Sequence, residues 1–96
     1  MYRIKAGQRE AARRLGVVIR PSTVKNKKLD VYKNGIQIAS IGDLRYGDYW
    51  SYVQDEKYNR APKGTAAQRR RLYKIRNANE CAAKGSVGYY ACRILW

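Results

Sequence analysis

The chain has 96 residues and carries 21 Lys plus Arg against 7 Asp plus Glu, so its formal net charge is +14. This length predicts one domain, 1–96, with a modest core, and the positive field is suited to polyanionic partners. A hydrophobic fraction of 45% with nine Tyr and two Trp excludes a disordered basic tail, and no apolar run is long enough to span a membrane.

The N-terminal basic segment, 1–20, contains a predicted short helix. Residues Gln8–Leu15 are mostly good helix formers, and Gly16 stands at the position of a C-cap. Because the segment has no continuous apolar stretch, we expect no secretory signal. Its arginines, among them Arg13 and Arg14, form a second candidate cationic patch.

Two further segments predict strands. A β-branched run, Val17–Ile19, is followed by Pro21, which predicts a short strand or an edge strand. Residues 28–41 predict a β-hairpin, because two runs of alternating apolar and polar residues flank Asn34-Gly35.

Residues 42–53 are dense in Tyr and Trp without a clean period of 2 or 3.6. They predict a structured loop or short helix, beginning near Asp48, whose rings pack onto the sheet. Residues 54–64 are polar, contain a Pro and a Gly, and predict a connector.

The C-terminal third predicts two helices. Residues 65–84 form the basic helix, with Thr65 as N-cap and Gly85 as C-cap. Residues 86–96 form a C-terminal helix capped by Ser86, with apolar side chains at i, i+3, i+4 and i+7 and a docked Leu-Trp end. The predicted fold class is therefore α+β: a small β-hairpin or antiparallel sheet packed by a basic helix and a short C-terminal helix.

The basic helix segregates its charge. At 100° per residue, Leu72 and Ile75 fall on one face, predicted to meet the core, and the cations occupy the remaining arc around Tyr73. The cations repel one another instead of pairing, whereas a helix that needs only solubility usually mixes signs. Arginine forks suit phosphate oxygens, and a ring among them can stack on a base. The candidate nucleic-acid-binding residues are Arg69, Arg70, Tyr73, Lys74 and Arg76, with Arg13 and Arg14 as a second patch.

Two alternatives stay open at this point. The charge run on the helix is either a polyanion-binding surface or a solvated face, as most charge runs are. The lysines before the hairpin either extend the cationic footprint or belong to a loop. These lysines are Lys25, Lys27 and Lys28.

Catalytic signatures are absent from the sequence. There is no His, no Gly-rich phosphate loop and no dinucleotide fingerprint, so we expect no enzyme, no cofactor and no metal site. Cys81 and Cys92 are expected to be free thiols in a reducing compartment, with a bridge between them as the alternative. Carboxylates would support catalysis only if two met in a cleft, and the candidates are Asp30, Asp43, Asp48, Asp55 and Glu56.

Three phrases carry a resemblance to a known family: IGDLRYGDYWSYV at 41–53, RRRLYKIRN at 69–77 and GYYACRILW at 88–96. Together they resemble small basic proteins encoded by large DNA viruses, including chlorella viruses and other giant viruses. That family has a G-Y-x-D-Y element, a basic R-R-x-Y-x-x-R-H helix and a closing G-[FY]-[YW]-x-x-x-[LI]-L-W. Asn77 stands where the pattern usually has His, and Asp43-Leu44 is an insertion in the first element. The matching residues are Tyr46, Asp48, Tyr49, Arg70, Arg71, Tyr73, Arg76, Gly88, Tyr89, Tyr90, Leu95 and Trp96.

The resemblance implies a virus-encoded protein of the particle, with no activity to transfer and with rings that define the core. We therefore expect a non-enzymatic virion protein whose cationic face binds nucleic acid phosphate, DNA backbone first, without sequence specificity. The alternative is a minor capsid or cement protein that binds acidic capsid subunits, and a host-directed inhibitor or ribosome-associated protein is a third. The expected location is the virion, with the host cytoplasm during assembly, and neither a small-molecule substrate nor a membrane partner is expected.

Overall fold

The computed structural model describes residues 2–57 and 65–96, and an antiparallel sheet lies at its centre. The strands are β1, Val18–Pro21, β2, Leu29–Lys33, and β3, Ile36–Ile41, in the order β1-β2-β3. The α+β fold class is confirmed, and the β-branched run before Pro21 is an edge strand as predicted.

The hairpin between β2 and β3 is also confirmed. Asn34 and Gly35 both have positive φ, 53° and 79°, as a two-residue type I′ turn requires. A β-bulge after Val31 then shifts the register, so that Ala39 is buried opposite Val31 while Ile38 is exposed. The bulge therefore decides which side of β3 enters the core.

Helices account for most of the remaining described chain. None of those described is long and apolar enough to cross a bilayer. Their bounds are α1, Ala6–Leu15, α2, Tyr49–Lys57, α3, Thr65–Arg76, α4, Ala78–Ala82, and α5, Val87–Ile94.

Most of the predicted helix signals hold. Gly16 ends α1 in the left-handed region with φ 73°, and the Ser86 hydroxyl accepts the Tyr89 N–H to begin α5. The predicted continuous basic helix is wrong, because Asn77 interrupts it between α3 and α4. The Asn77 amide donates to the Tyr73 carbonyl at 3.0 Å, and such a side-chain bond competes with helix continuation.

The predicted connector, 54–64, is wrong in its first four residues, which belong to α2, and its remainder lies outside the described residues. The side chain of Thr65, the predicted N-cap of the basic helix, also lies outside them. The backbone of α3 nevertheless begins at Thr65, in agreement with the predicted start. Helix α2, which follows Asp48, likewise begins where the sequence indicates.

Helices α1 and α5 cover the sheet and contact each other. Their side chains and those of the strands form one apolar core, which includes Ile94 of α5, Leu95 directly after it, and Leu29 and Val31 of β2. The basic helix α3 packs mainly on α2 instead. Helix α3 thus lies at the periphery, where its charge can stay hydrated.

A disulfide joins Cys81 of α4 to Cys92 of α5, with Cα atoms 5.4 Å apart. The expectation of two free thiols is therefore wrong, and the alternative of a bridge holds. The two helices approach closely, since a Cβ on Gly88 would lie 2.7 Å from the Glu80 Cβ. The bridge fastens the segment after the basic helix to the core.

An ion pair is buried beside the core. The Lys28 ammonium donates to the Asp48 carboxylate at 2.8 Å, and both side chains are almost fully buried. The same carboxylate accepts the Tyr2 hydroxyl at 2.7 Å, and the Gln8 amide donates to that hydroxyl. Asp48 also caps α2 by accepting the Ser51 N–H. Lys28 thus belongs to the fold and is not part of a cationic footprint.

Candidate nucleic-acid interface

The orientation of α3 differs from the prediction. Leu72 and Ile75 were expected to face the core, but they are 46% and 62% exposed. The side chains that α3 turns inward are Ala66, which is buried, and Tyr73, whose ring stacks on the Trp96 ring at 4.5 Å and nearly parallel. A large ring buries more area than an aliphatic side chain, and the ring pair sets the rotation of the helix.

This rotation changes where the cations lie. With Tyr73 inward, Arg69 and Arg76 fall about 40–60° to one side of it, and Arg70 and Lys74 about 60–100° to the other. These four cations therefore flank the packed side of α3, and their side chains remain exposed. Each pair borders a different cleft.

The first cleft, which we call the basic cleft, collects cations from three helices. Arg70 and Lys74 of α3 line it together with Arg14 of α1 and Arg93 of α5, and its volume is about 430 Å³. The Trp96 ring forms part of its wall. Residues that are far apart in the sequence thus form one positively charged concave surface.

A tryptophan positions α1 at this cleft. A Cβ on Gly7 would lie 2.2 Å from the Trp50 ring, so the ring occupies the space that a side chain would need. The Trp50 indole N–H donates to the Ile94 carbonyl at 3.0 Å. Trp50 therefore holds α1, α2 and the end of α5 together, and this places Arg14 opposite α3.

The basic cleft has little negative charge of its own. Glu10 is the one carboxylate among the described residues that line it, and it pairs with Arg14 at 3.3 Å and with Arg13 at 2.6 Å. Among the described side chains, no ion pair joins a cation of α3 or Arg93 to a carboxylate. Counted over the described side chains, the cleft therefore carries an excess of positive charge.

The pKa of the Lys74 ammonium is lowered in this surrounding. Burial lowers its pKa, and the neighbouring charges of Arg70 and Arg93 lower it further. An anion placed between the three would reverse the second effect, because an opposite charge favours the protonated form.

Tyrosine rings support the guanidinium groups. Arg70 lies over the Tyr49 ring, and Arg93 lies over the Tyr89 ring, each at 4.5 Å from the ring centroid. A cation held on a neutral ring keeps its full charge and its planar N–H edge. Both arginines are therefore oriented and still available for bidentate contacts to an oxyanion.

The second cleft, which we call the aromatic cleft, lies on the other side of Tyr73 and has a volume of about 580 Å³. Arg69 and Arg76 line it, with Tyr46, Tyr52 and the shared Trp96 ring. Arg69 lies 4.5 Å from the Tyr52 ring centroid and donates to its hydroxyl at 3.3 Å. This cleft combines two cations with several rings.

The remaining candidate positions divide clearly. Arg13 is exposed, held by Glu10 through two hydrogen bonds and outside the lining of the basic cleft, whereas Arg14 lies within it. Sequence reasoning missed Arg93 and Trp50. A signal for Trp50 was available in Gly7, because a glycine within a helical segment costs stability and often marks a close packing contact.

The candidate carboxylates are engaged separately. Asp30 accepts hydrogen bonds from Ser22 and Ser40, Asp43 accepts from Arg45, and Asp48 takes part in the buried pair. The side chains of residues 55 and 56 lie outside the described part of the chain. No group of three potential metal ligands lies together among the described residues.

The chain matches no known family model, no curated protein and no solved structure.

Proposed function

We propose that this protein is a non-enzymatic binding protein whose basic cleft holds the phosphates of nucleic acid without reading its sequence. One observation carries the proposal: Arg70, Lys74 and Arg93 converge with Arg14 from three separate helices, and one carboxylate, Glu10, faces them among the described residues. Convergent like charges destabilise a fold unless a counter-charge relieves them. A polyanion supplies that counter-charge.

The geometry favours phosphate over a single carboxylate. Arg70 and Arg93 each lie over a tyrosine ring, and both line the basic cleft. Bidentate contacts from arginine forks match phosphate oxygens. The aromatic cleft, which shares the Trp96 ring with the basic cleft, supplies two further cations, Arg69 and Arg76, for phosphates of the same chain.

The binding we propose is to the backbone. A sequence reader places side chains on base edges from an element that enters a groove, whereas these cations line a concave surface between helices. Contacts of this kind position a nucleic acid without carrying sequence information.

The viral setting is part of the proposal and rests on the resemblance. Residues from its three phrases meet at one place: Tyr49 lies under Arg70, and Tyr73 stacks on Trp96. We therefore infer a virion protein that binds the DNA genome. The Cys81–Cys92 bridge fits a particle, since disulfides persist at virion surfaces and are rare in reducing compartments.

A capsid or cement role is a second candidate, and exposed apolar side chains favour it. Ile75 lines neither cleft and is 62% exposed, and Leu72, at the border of the aromatic cleft, is 46% exposed. Apolar groups on a charged helix often mark a contact with another protein. One face of the protein could thus meet the genome while the other meets the shell.

The test is a binding series against DNA of three unrelated sequences, each as duplex and as single strand, across a range of salt concentrations. We expect similar affinities for all three sequences and a log–log salt slope of about −3 to −4, because four cations would displace roughly that many counterions. No binding at low salt, or a slope near zero, would overturn the proposal. Detection of the protein at constant stoichiometry in shells emptied of genome would favour the capsid role.

A further inference from the structure

We propose that the nucleic acid is single-stranded where it meets this protein, and that unpaired bases enter the aromatic cleft while phosphates lie on the cations at either side of α3. This inference rests on the proposed function and adds the form of the strand. It is carried by the ring of Tyr46 and by its position beside Arg69 and Arg76.

Tyr46 has no part in the core. Its side chain is 71% exposed, although it lines the aromatic cleft. The guanidinium of Arg45 lies 6.0 Å from its ring centroid and is paired with Asp43. Nothing in the packing of the described residues therefore accounts for an aromatic side chain at this position.

The backbone that carries Tyr46 is held in place. Its N–H donates to the Asp43 carbonyl at 3.1 Å. A Cβ on the next residue, Gly47, would lie 2.5 Å from the Tyr52 ring, so the chain passes directly against that ring. The Tyr46 ring is thus displayed at a fixed point at the edge of the cleft.

The rest of the aromatic cleft suits a planar, uncharged group with a phosphate attached. The Tyr73 and Trp96 rings stack at 4.5 Å inside it, and Arg69 stands on the Tyr52 ring. Proteins that bind single strands combine such rings with a positively charged groove along the backbone. Here the aromatic and basic clefts lie on either side of Tyr73 of α3 and share Trp96.

A duplex would use this surface poorly. Its bases are paired and stacked on one another, so they cannot lie on a protein ring unless they are extruded. Duplex binding would engage the cations and leave Tyr46 in water. Unpaired bases have free faces, and stacking on an aromatic side chain tolerates any base, in agreement with binding that ignores sequence.

The experiment compares Tyr46→Ala with Tyr46→Phe, which keeps the ring and removes the hydroxyl. Labelled oligonucleotides of mixed sequence are titrated as single strand and as duplex at one salt concentration, and folding of each variant is checked by circular dichroism. We expect the wild type to prefer the single strand. We expect Tyr46→Ala to lose about tenfold in single-strand affinity with duplex affinity unchanged, and Tyr46→Phe to bind as the wild type does.

The outcomes separate this inference from the proposed function. If duplex binds as tightly as single strand, or if Tyr46→Ala weakens both forms equally or neither, the inference is overturned while phosphate binding stands. If Tyr46→Phe loses as much single-strand affinity as Tyr46→Ala does, the inference is also overturned, since the ring would then not make the contact. If neither form binds the wild type at low salt, both proposals fail.

Discussion

Two groups of charged side chains in this small protein differ in how they are paired and how deeply they are buried. In the buried pair, Lys28 meets Asp48, and the hydroxyl of Tyr2 completes the site. In the basic cleft, Lys74 lies close to the charges of Arg70 and Arg93. None of these three cations is paired with a carboxylate among the described side chains. Among the described side chains, one set of charges is neutralised within the fold, and the other has no carboxylate partner.

The difference shows where the fold depends on charge and where function could depend on it. A buried ammonium without its partner is costly, so the chain brings Asp48 to Lys28 across 20 positions. A partly hydrated ammonium without a partner is tolerated. Substitutions in the two places should therefore affect different properties, stability in the first and binding in the second.

The largest expected effect comes from breaking the buried pair. Asp48→Asn should lower the free energy of unfolding by about 3–5 kcal/mol, because it leaves the Lys28 ammonium buried without a counter-charge. Asparagine can still cap α2 through its one amide oxygen, but its NH2 group then takes the place of the carboxylate oxygen that accepts from Lys28 and Tyr2. Urea denaturation followed by circular dichroism measures it.

A double substitution is the matched control. In Lys28→Met/Asp48→Asn the buried charge is gone, and we expect most of the lost stability to return, since an apolar side chain of similar length replaces the ammonium. If the double variant is as unstable as Asp48→Asn alone, the charge pair is not the cause, and the first half of the comparison fails.

Loss of the disulfide should have the next largest effect. Removing the bridge in Cys81→Ala/Cys92→Ala should lower the free energy of unfolding by about 3 kcal/mol, because the bridge closes a short loop in the unfolded chain. Below the unfolding transition the affinity for DNA should persist, since the Tyr73–Trp96 stack does not involve the bridge. A folded variant that no longer binds would show that the bridge aligns the clefts.

Lowering the pH should reduce the stability that the Lys28–Asp48 pair contributes, and this effect should be smaller than those of the substitutions above. Burial raises the pKa of Asp48, but hydrogen bonds from Lys28 and Tyr2 outweigh burial, and the pKa lies below its ordinary value. The unfolded chain therefore takes up this proton first, near pH 4, so the stability that Asp48 contributes is present above that pH and declines as the pH falls through the folded-state pKa. The difference in unfolding free energy between wild type and Asp48→Asn should shrink in that window. A constant difference down to pH 2 would contradict this assignment.

Much of the fold was predictable because its signals are local. Asn34-Gly35 can form the turn it does with little strain, and Gly16 and Ser86 sit at helix ends for reasons confined to a few residues. The rotation of α3 was not predictable in this way. Leu72 and Ile75 give the apolar pattern of a core face, yet the Tyr73–Trp96 stack overrides it, and a contact between distant residues leaves no periodic trace.

The sequence indicated some of the cations of the candidate site, but it did not indicate which of them come together in the fold. Arg70 and Lys74 stand out in the sequence as unpaired cations, and the structure brings them together with Arg14. Arg93 went unnoticed because a single cation on an apolar helix looks like an ordinary solvated residue. Lys28 was misread for the opposite reason, since its lysine neighbours gave no sign that Asp48 lies beside it.

The most direct test of the account asks whether the basic cleft, and not net charge alone, binds DNA. Arg70→Ala/Lys74→Ala/Arg93→Ala should fold as the wild type does, because none of the three is paired with a carboxylate among the described side chains. The log–log salt slope of its DNA binding should be smaller by about 2–3, the counterions that three phosphate contacts release.

The matched control removes three exposed lysines that lie outside both clefts, Lys25→Ala/Lys33→Ala/Lys84→Ala. It has the same net charge as the cleft variant, and we expect its salt slope and affinity at moderate salt to stay close to those of the wild type. If the salt slope and the affinity for DNA fall by the same amounts in the two triple variants, binding depends on total charge, and the assignment of the cleft is contradicted.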